Sequence, residues 1–348
     1  MRVAVLGATG FVGGAVVREL AGQGVRVRAA TRGRAAGSAA RAGGGVEWAR
    51  ADLTRPDTLH GFCTGADVLL QLASHIGRDA QTCEAVNVRG TAAAVAEARR
   101  AGVRNIVLLS TTAVYGAGPH RGIDVGEVEP APVSVASGSR LAAETGVLAA
   151  GGTVLRAGLI LGAGDRWVVP ALADALRRVP AWWGGGEALL SVVQVTELAR
   201  LVAGFARASA GQVEGAAAPA ALSGVHHAAH SRPVSNRELI TALDRYGILR
   251  APVDSAPMDR CLAELDANPG WVSPRQFLLM GEDHWYRSDR AWRLAGVTPA
   301  AGPLDGLADA ANWYREHLDG TVPRSRQVQP PDGVPSPGDV PPTGVPGP

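Results

Sequence analysis

Lysine is missing altogether. The 34 basic residues of the 348-residue chain are all arginine, so a tyrosine–lysine pair cannot form at any spacing. Tyrosine is scarce as well, confined to Tyr115, Tyr246, Tyr286 and Tyr314. The three cysteines, Cys63, Cys83 and Cys261, lack metal or disulfide spacing, which points to a reducing cytoplasm. No apolar run reaches the ~18 residues of a membrane span, and an apolar strand begins at the N-terminus, so no signal peptide is expected. A formal net charge of +2 gives no electrostatic case for nucleic-acid or membrane partners. The Ala-, Gly- and Arg-rich composition suggests a high-GC genome. Codon bias then accounts for arginine in place of lysine, but not for a missing tyrosine.

What is present is an alternation of strands and helices. Apolar runs at Val3–Leu6, Val25–Ala30, Val46–Ala49, Val68–Leu72, Ile106–Leu109 and Val154–Ala157 read as buried strands. Helical stretches lie between them at Val12–Leu20, Ala80–Arg100 and Val135–Ala149. Such alternation predicts an α/β, Rossmann-type doubly wound parallel sheet with helices on both faces. A smaller C-terminal substrate-binding and lid subdomain is expected to follow.

The core is assigned to 1–162, with returning elements about 187–230. The substrate lobe takes 163–186 and 231–320. Past Gly162 the pattern predicts helices at Val169–Arg178, Thr196–Arg207 and Ser235–Tyr246, strands at Leu189–Gln194 and Val225–Ala228, and a last helix at Leu304–His317. Residues 250–295 read as irregular, with a lid at about 255–295. The Pro/Gly-rich stretch 322–348 reads as disordered.

The motif richest in chemistry is Gly7-Ala-Thr9-Gly10-Phe11-Val12-Gly13, between the first strand and the first helix. Gly7 permits a tight turn, Gly10 lets the backbone approach a pyrophosphate, and Gly13 lets the helix pack on the strand. The helix N-terminus then offers unpaired N–H groups to an anion. A lone glycine triplet is weak evidence, but a strand–turn–helix context supports dinucleotide binding. The second strand ends Thr31-Arg32-Gly33-Arg34 with no acid in reach. That favours a 2′-phosphate and NADP(H) over NAD, with Arg32 and Arg34 as candidate ligands. Asp52 and Leu53 follow the third strand, near the expected adenine. Leu72, Ala73 and Ser74 end the fourth, beside the expected nicotinamide ribose.

On these residues the chain resembles the extended short-chain dehydrogenase/reductases of the NAD-dependent epimerase/dehydratase type. The matching pieces are the glycine turn, Asp52-Leu53, Asn87-Val-Arg-Gly-Thr91, Ser110-Thr-Thr-Ala-Val-Tyr-Gly116, Leu155-Arg-Ala-Gly-Leu-Ile-Leu-Gly162 and Val192-Val-Gln-Val-Thr-Glu-Leu-Ala199. Together they cover residues 1 to about 318. The resemblance implies that Thr111 orients a substrate carbonyl, with Ser110 beside it in the candidate catalytic set. It adds Asn87 to the cofactor set and implies that backbone around Gly158, Leu159 and Ile160 holds the nicotinamide carboxamide.

The departures matter more. The family's tyrosine and lysine fall on Ala136 and Arg140. In the family the tyrosine protonates the new alkoxide, and the lysine lowers its pKa and holds the ribose. Arg140 can keep the ribose contact, whereas Ala136 has no proton to give. Tyr246 and Tyr286 each have an arginine four residues on but lie far downstream. His75 is another candidate donor. His226 and His227 are adjacent on a strand and face opposite sides, which makes a poor metal site, and no metal is expected.

Seven of eight tryptophans lie after residue 160. Clustered in loops above the crevice, they would suit a flat apolar ligand, although some must fill the core. The combination resembles the atypical aromatic-polyketide ketoreductases of antibiotic pathways. It implies NADPH-dependent reduction of a ketone on an angucycline-type small molecule, with a proton drawn from the substrate. Two alternatives stay open: a nucleotide-sugar epimerase or reductase of the same fold, and a non-catalytic NADP-binding regulator. The sequence leaves the oligomeric state open.

Overall fold

The computed structural model describes residues 1–33, 45–213 and 219–318. Arg34 and the Pro/Gly-rich stretch 322–348 lie outside the described residues. Seven strands form the main sheet: β1 (Arg2–Leu6), β2 (Arg26–Thr31), β3 (Val46–Arg50), β4 (Val68–Gln71), β5 (Asn105–Thr111), β6 (Thr153–Ala157) and β7 (Gly224–Ala228). Their order is β7-β6-β5-β4-β1-β2-β3, and every neighbouring pair is parallel. The order reverses between β1 and β4, so a crevice opens there at the carboxyl ends of the strands.

The strand period of two divides the core between the faces. Val3 and Val5 point to one side, where helices α1 (Phe11–Gly22) and α4 (Val195–Ser209) pack through Val16, Leu20, Leu201, Val202 and Phe205. Ala4 and Leu6 point to the other, under α2 (Gly90–Arg100) and α3 (Val135–Ala149) through Ala94, Ala98, Ala143 and Val147. Each fully buried aliphatic side chain contributes roughly 1.5–3 kcal/mol. The sheet is therefore a rigid platform for the loops at its upper edge.

Three elements differ from the sequence expectation. The run Leu189–Gln194 is not one strand. It breaks at Ser191, whose carbonyl accepts from Leu159 N at 2.8 Å and whose N–H donates to His284 O at 3.0 Å. Leu189–Leu190 joins a small sheet with Val234–Ser235, His284–Tyr286 and His120–Ile123, while Val192–Gln194 pairs with Leu159–Leu161. The helix expected over Ala80–Arg100 is π-helical across Glu84–Arg89. Residues 250–295, expected to be irregular, form helices Met258–Ala267, Pro274–Gly281 and Asp289–Ala295. The missed signal was a capping box: Ser273 Oγ accepts from Gln276 N, and the Gln276 side chain reaches back to Ser273 N.

Three of the eight tryptophans, Trp182, Trp183 and Trp292, are buried in the core. Trp182 and Trp183 sit in the second lobe's core, and Trp292 is buried against the main sheet, donating to Ala229 O at 2.7 Å. Trp271 packs on the lobe core, and Trp285 covers Gly122. Trp182 and Trp183 fill the lobe's interior together with Phe277, Met280, Tyr314 and many leucines, where their large apolar area is removed from water. No helix among the described residues is long and apolar enough to cross a membrane.

Candidate active site

The first strand runs into Gly7, whose φ of +80° suits glycine alone. A Cβ there would lie 2.6 Å from Ala73 N, and one on Gly13 would lie 2.0 Å from Gly7 O, so β1, β4 and α1 meet with no room for side chains. Gly10 caps α1 without a side-chain acceptor, and the first turn carries no acid. Its N–H groups and dipole are left to an anion. Above them lies a cleft of about 420 Å³ lined by Gly7, Thr9, Gly10, Phe11, Val12, Gly13, Arg32, Asp52, Leu53, Leu72, Ala73, Ser74 and His75. The tight glycine contacts make a backbone cradle that fits a pyrophosphate.

At one end of this cleft the Asp52 carboxylate accepts from Thr54 N (2.9 Å) and Thr54 Oγ (2.8 Å). Burial pushes Asp52 upward, but these bonds and the Arg32 and Arg55 charges outweigh it and hold the carboxyl below its usual range. Arg32 itself is exposed at the cleft edge.

A second cavity, of about 250 Å³, adjoins the first. Thr111, Ala136 and Arg140 line it together with Ile76, Ala113, Leu159, Trp167, Arg275, Leu279 and Met280. Trp167 is thus the one tryptophan that reaches it. Ala136 and Arg140 share a face because α3 places positions four apart above one another. The helix starts where it does because Ser134 and Ser137 form a capping box. A void of about 10 Å³, lined in part by Asn87 and Ser110, shares Ala73, Ser74 and Leu109 with the cleft and Arg140 with the cavity.

Arg140 donates to Leu109 O at 3.1 Å, and its Nε is buried without a partner. Burial lowers its pKa to about 10, against the pull of Glu144, so it stays charged at neutral pH. One turn further, Glu144 accepts from Arg156 Nη2 at 2.7 Å, and Ser110 Oγ also donates to it. Both ions are buried, and burial of Arg156 is outweighed by Glu144, which raises the guanidinium pKa. Breaking one partner of such a pair is far costlier than the pair's net worth. The network clamps α3 onto β5 and β6 and sets the position of Arg140.

Ser110, placed in the candidate catalytic set, is 1% exposed and committed to Glu144. Alternation along β5 sends it away from Thr111, which lines the cavity. Asn87 lies outside the cofactor cleft. Its Nδ2 donates to Ser139 Oγ (2.8 Å) and His75 O (3.0 Å), and its Oδ1 accepts from His75 N (2.8 Å). It braces the His75 loop against α3. Leu159 lines the cavity, but its N–H donates to Ser191 O, and Gly158 and Ile160 line neither space.

The other donors are placed as clearly. Tyr286 is 4% exposed, stacked on Tyr115 with centroids 5.5 Å apart, and its Oη lies 3.0 Å from His120 Nδ1. Burial pushes its phenol up, only partly offset by a hydrogen bond from Thr112. His75 lines the cleft, with its ring over Gly77. His226 Nε2 meets Leu222 O at 3.0 Å, whereas His227 Nε2 meets Tyr115 Oη at 2.7 Å on the other face of β7. Among the described residues no group of three or more His, Cys, Asp or Glu could hold a metal. The sequence reading missed Arg275, Leu279 and Met280, which the helix Pro274–Gly281 brings to the cavity.

Residues 3–216 match the model of the NAD dependent epimerase/dehydratase family, more than half of the chain. The chain belongs to that family. A 4-hydroxy-2-methyl-3-oxo-4-farnesyl-3,4-dihydroquinoline-1-oxide ketoreductase of Stigmatella aurantiaca is 32% identical over 209 residues, 57% of this chain and 62% of that protein. Sterol demethylase protein B of Methylococcus capsulatus is 38% identical over 122 residues, 34% of this chain and 37% of that protein. The chain therefore spans less than two thirds of the length of either curated relative. Among solved structures, MoeE5 in complex with UDP-glucose and NAD superposes with a TM-score of 0.65, covering 91% of this chain and 100% of that one at 22% identity. At that identity the likeness shows the fold.

Proposed function

We propose that the protein is an NADPH-dependent ketoreductase acting on a ketone of a flat aromatic polyketide of the angucycline type. The observation that carries this reading is the convergence of Thr111, Ala136 and Arg140 on one largely apolar cavity beside the glycine cleft. The matched ketoreductase of Stigmatella aurantiaca supports the reaction class. The sequence resemblance to the angucyclinone ketoreductase of simocyclinone biosynthesis supports the substrate class, and Arg32 at the cleft edge supports NADP(H).

The Gly7–Gly13 turn and Arg32 would hold a reduced nicotinamide dinucleotide in the cleft, and that group would supply the hydride when bound. Arg140, facing both the small void and the cavity, holds the ribose. Thr111 Oγ donates to the ketone oxygen and strengthens that bond as negative charge develops there. Ala136 offers no proton, and arginine does not release one under these conditions. A phenol beside the ketone does, because its pKa lies near 10. Its O–H bond breaks as the alkoxide O–H forms, and water later returns a proton to the phenolate. Positioning alone is worth several kcal/mol, enough for a reductase without a protein acid.

An epimerase needs a base where Ala136 stands, which counts against a nucleotide-sugar substrate. A regulator without catalysis does not need Thr111 lining a cavity beside the cofactor cleft. The deciding measurement is NADPH consumption with a panel of anthraquinone-like ketones bearing a neighbouring hydroxyl. Turnover is expected. Tight NADPH binding without turnover of any of them would leave the regulator reading standing instead.

A further inference from the structure

The cavity beside the cleft holds more positive charge than its apolar walls explain. Of its polar lining groups, Thr111 accepts from Ala113 N, Ser134 and Ser137 bond each other, and Gln276 accepts from Ser273. Arg275 is different. It is half-buried, and among the described residues no carboxylate or carbonyl accepts from its guanidinium. Among the described residues no Asp or Glu lines the cavity.

The setting makes that cation costlier still. Arg275 lies in the first turn of helix Pro274–Gly281, just after its Ser273 cap, at the end of the dipole that repels positive charge. The first turn of α3 also borders the cavity through Ala136 and Ser137, and neither first turn contains an acid. On the same wall the Arg140 Nε is buried without a partner. Arg140, Arg275 and two helix N-termini thus border one small space, with no Asp or Glu among its described lining residues. Arg275 is only partly shielded from water and has no partner in the protein, and a guanidinium fork matches a planar anionic oxygen pair.

We propose that the cavity selects ligands carrying an ionised acidic oxygen on their ring system, with Arg275 as the specificity residue that pairs with it. This rests on the aromatic-ketone reading of the same cavity and adds a charge to that substrate class. A carboxylate and an acidic phenol, the latter distinct from the protonated phenol beside the ketone that gives up its proton, both present the required chemistry, and matched probes separate them.

The test is direct binding by equilibrium dialysis with saturating NADP⁺ and no turnover. The probes are anthraquinone-2-carboxylate, its neutral carboxamide, and a hydroxyanthraquinone measured above and below the pKa of its phenol. One charge-assisted bond predicts that an ionised probe binds about tenfold or more tighter than its neutral form. Arg275→Gln removes that preference while leaving affinity for the carboxamide and for NADP⁺ unchanged. Arg275→Lys keeps most of it. A preference confined to one acid supports the site and names its ligand. Equal affinities for ionised and neutral probes, no binding by any of them, or a preference that survives Arg275→Gln would each overturn the proposal. A charge preference without reduction of any ketone would sink the reductase reading alone.

Discussion

Arg140 reaches across from α3 to the carbonyl of Leu109 on β5, 3.1 Å away, from the position one turn beyond Ala136. It therefore ties α3 to the strand that ends in Thr111. Arg140→Ala is expected to weaken cofactor affinity by about tenfold or more, the worth of one hydrogen bond to a charged group. Unfolding by urea should change much less, because the lost bond to Leu109 is offset by removal of a partnerless buried Nε. A steep fall in the urea midpoint with cofactor affinity intact would make Arg140 a strut and nothing more.

Arg32 lies at the end of β2 on the cleft edge. A charge-assisted bond to a 2′-phosphate is worth roughly 1.5–3 kcal/mol. Titrations should show wild type preferring NADPH over NADH by at least about tenfold, and Arg32→Ala binding both alike. Equal binding by the wild type would remove the basis for NADP(H).

The source of the proton is open to separation. With Tyr286 locked between Tyr115 and His120, Tyr286→Phe should keep most activity, and so should His75→Ala. Thr111→Val should lower kcat about a hundredfold, as for loss of one donor to a developing oxyanion. Methylating the substrate hydroxyl beside the ketone should abolish turnover. If either Tyr286→Phe or His75→Ala loses more than about a hundredfold with binding unchanged, the protein supplies the acid.

Of the segment 255–295, the part before His284 is proposed to close over the ligand, because His284–Tyr286 is held in a sheet and Trp292 in the core. It contains helix Pro274–Gly281, whose Arg275, Leu279 and Met280 line the cavity. Limited proteolysis should cut within it more slowly when NADP⁺ and an aromatic ketone are bound. Identical digestion with and without ligand would rule out a closing movement.

His227 makes stability depend on acid. Burial lowers its pKa from 6.5 to about 4. Between those values the unfolded chain binds a proton that the folded protein refuses, so the stabilisation is complete above pH 6.5 and is lost as pH falls towards 4. Urea unfolding should lose up to about 1.4 kcal/mol per pH unit across that window. His227→Gln should flatten this limb, and an unchanged slope would mean that other groups set it.

Much of the molecule is legible from local order along the chain. Val3–Leu6, Gly7–Gly13 and the helix Val135–Ala149 need only strand periodicity, a forced turn at Gly7 and a Ser134 cap, all of which are short-range. The identities of Ala136 and Arg140 are likewise read directly from the chain. Tertiary structure alone decided what those residues meet. Ser110 and Thr111 are neighbours in sequence, yet one is buried on Glu144 and the other lines a cavity, because that depends on which helices cover each face of β5. Trp182, Trp183 and Trp292 went to the core, since burying apolar area outweighs any ligand the sequence suggests. Arg275 reads as an ordinary solvated residue until helix Pro274–Gly281 is docked. Its unpaired charge beside Thr111 and Arg140 is a long-range fact, set by packing between segments more than a hundred residues apart.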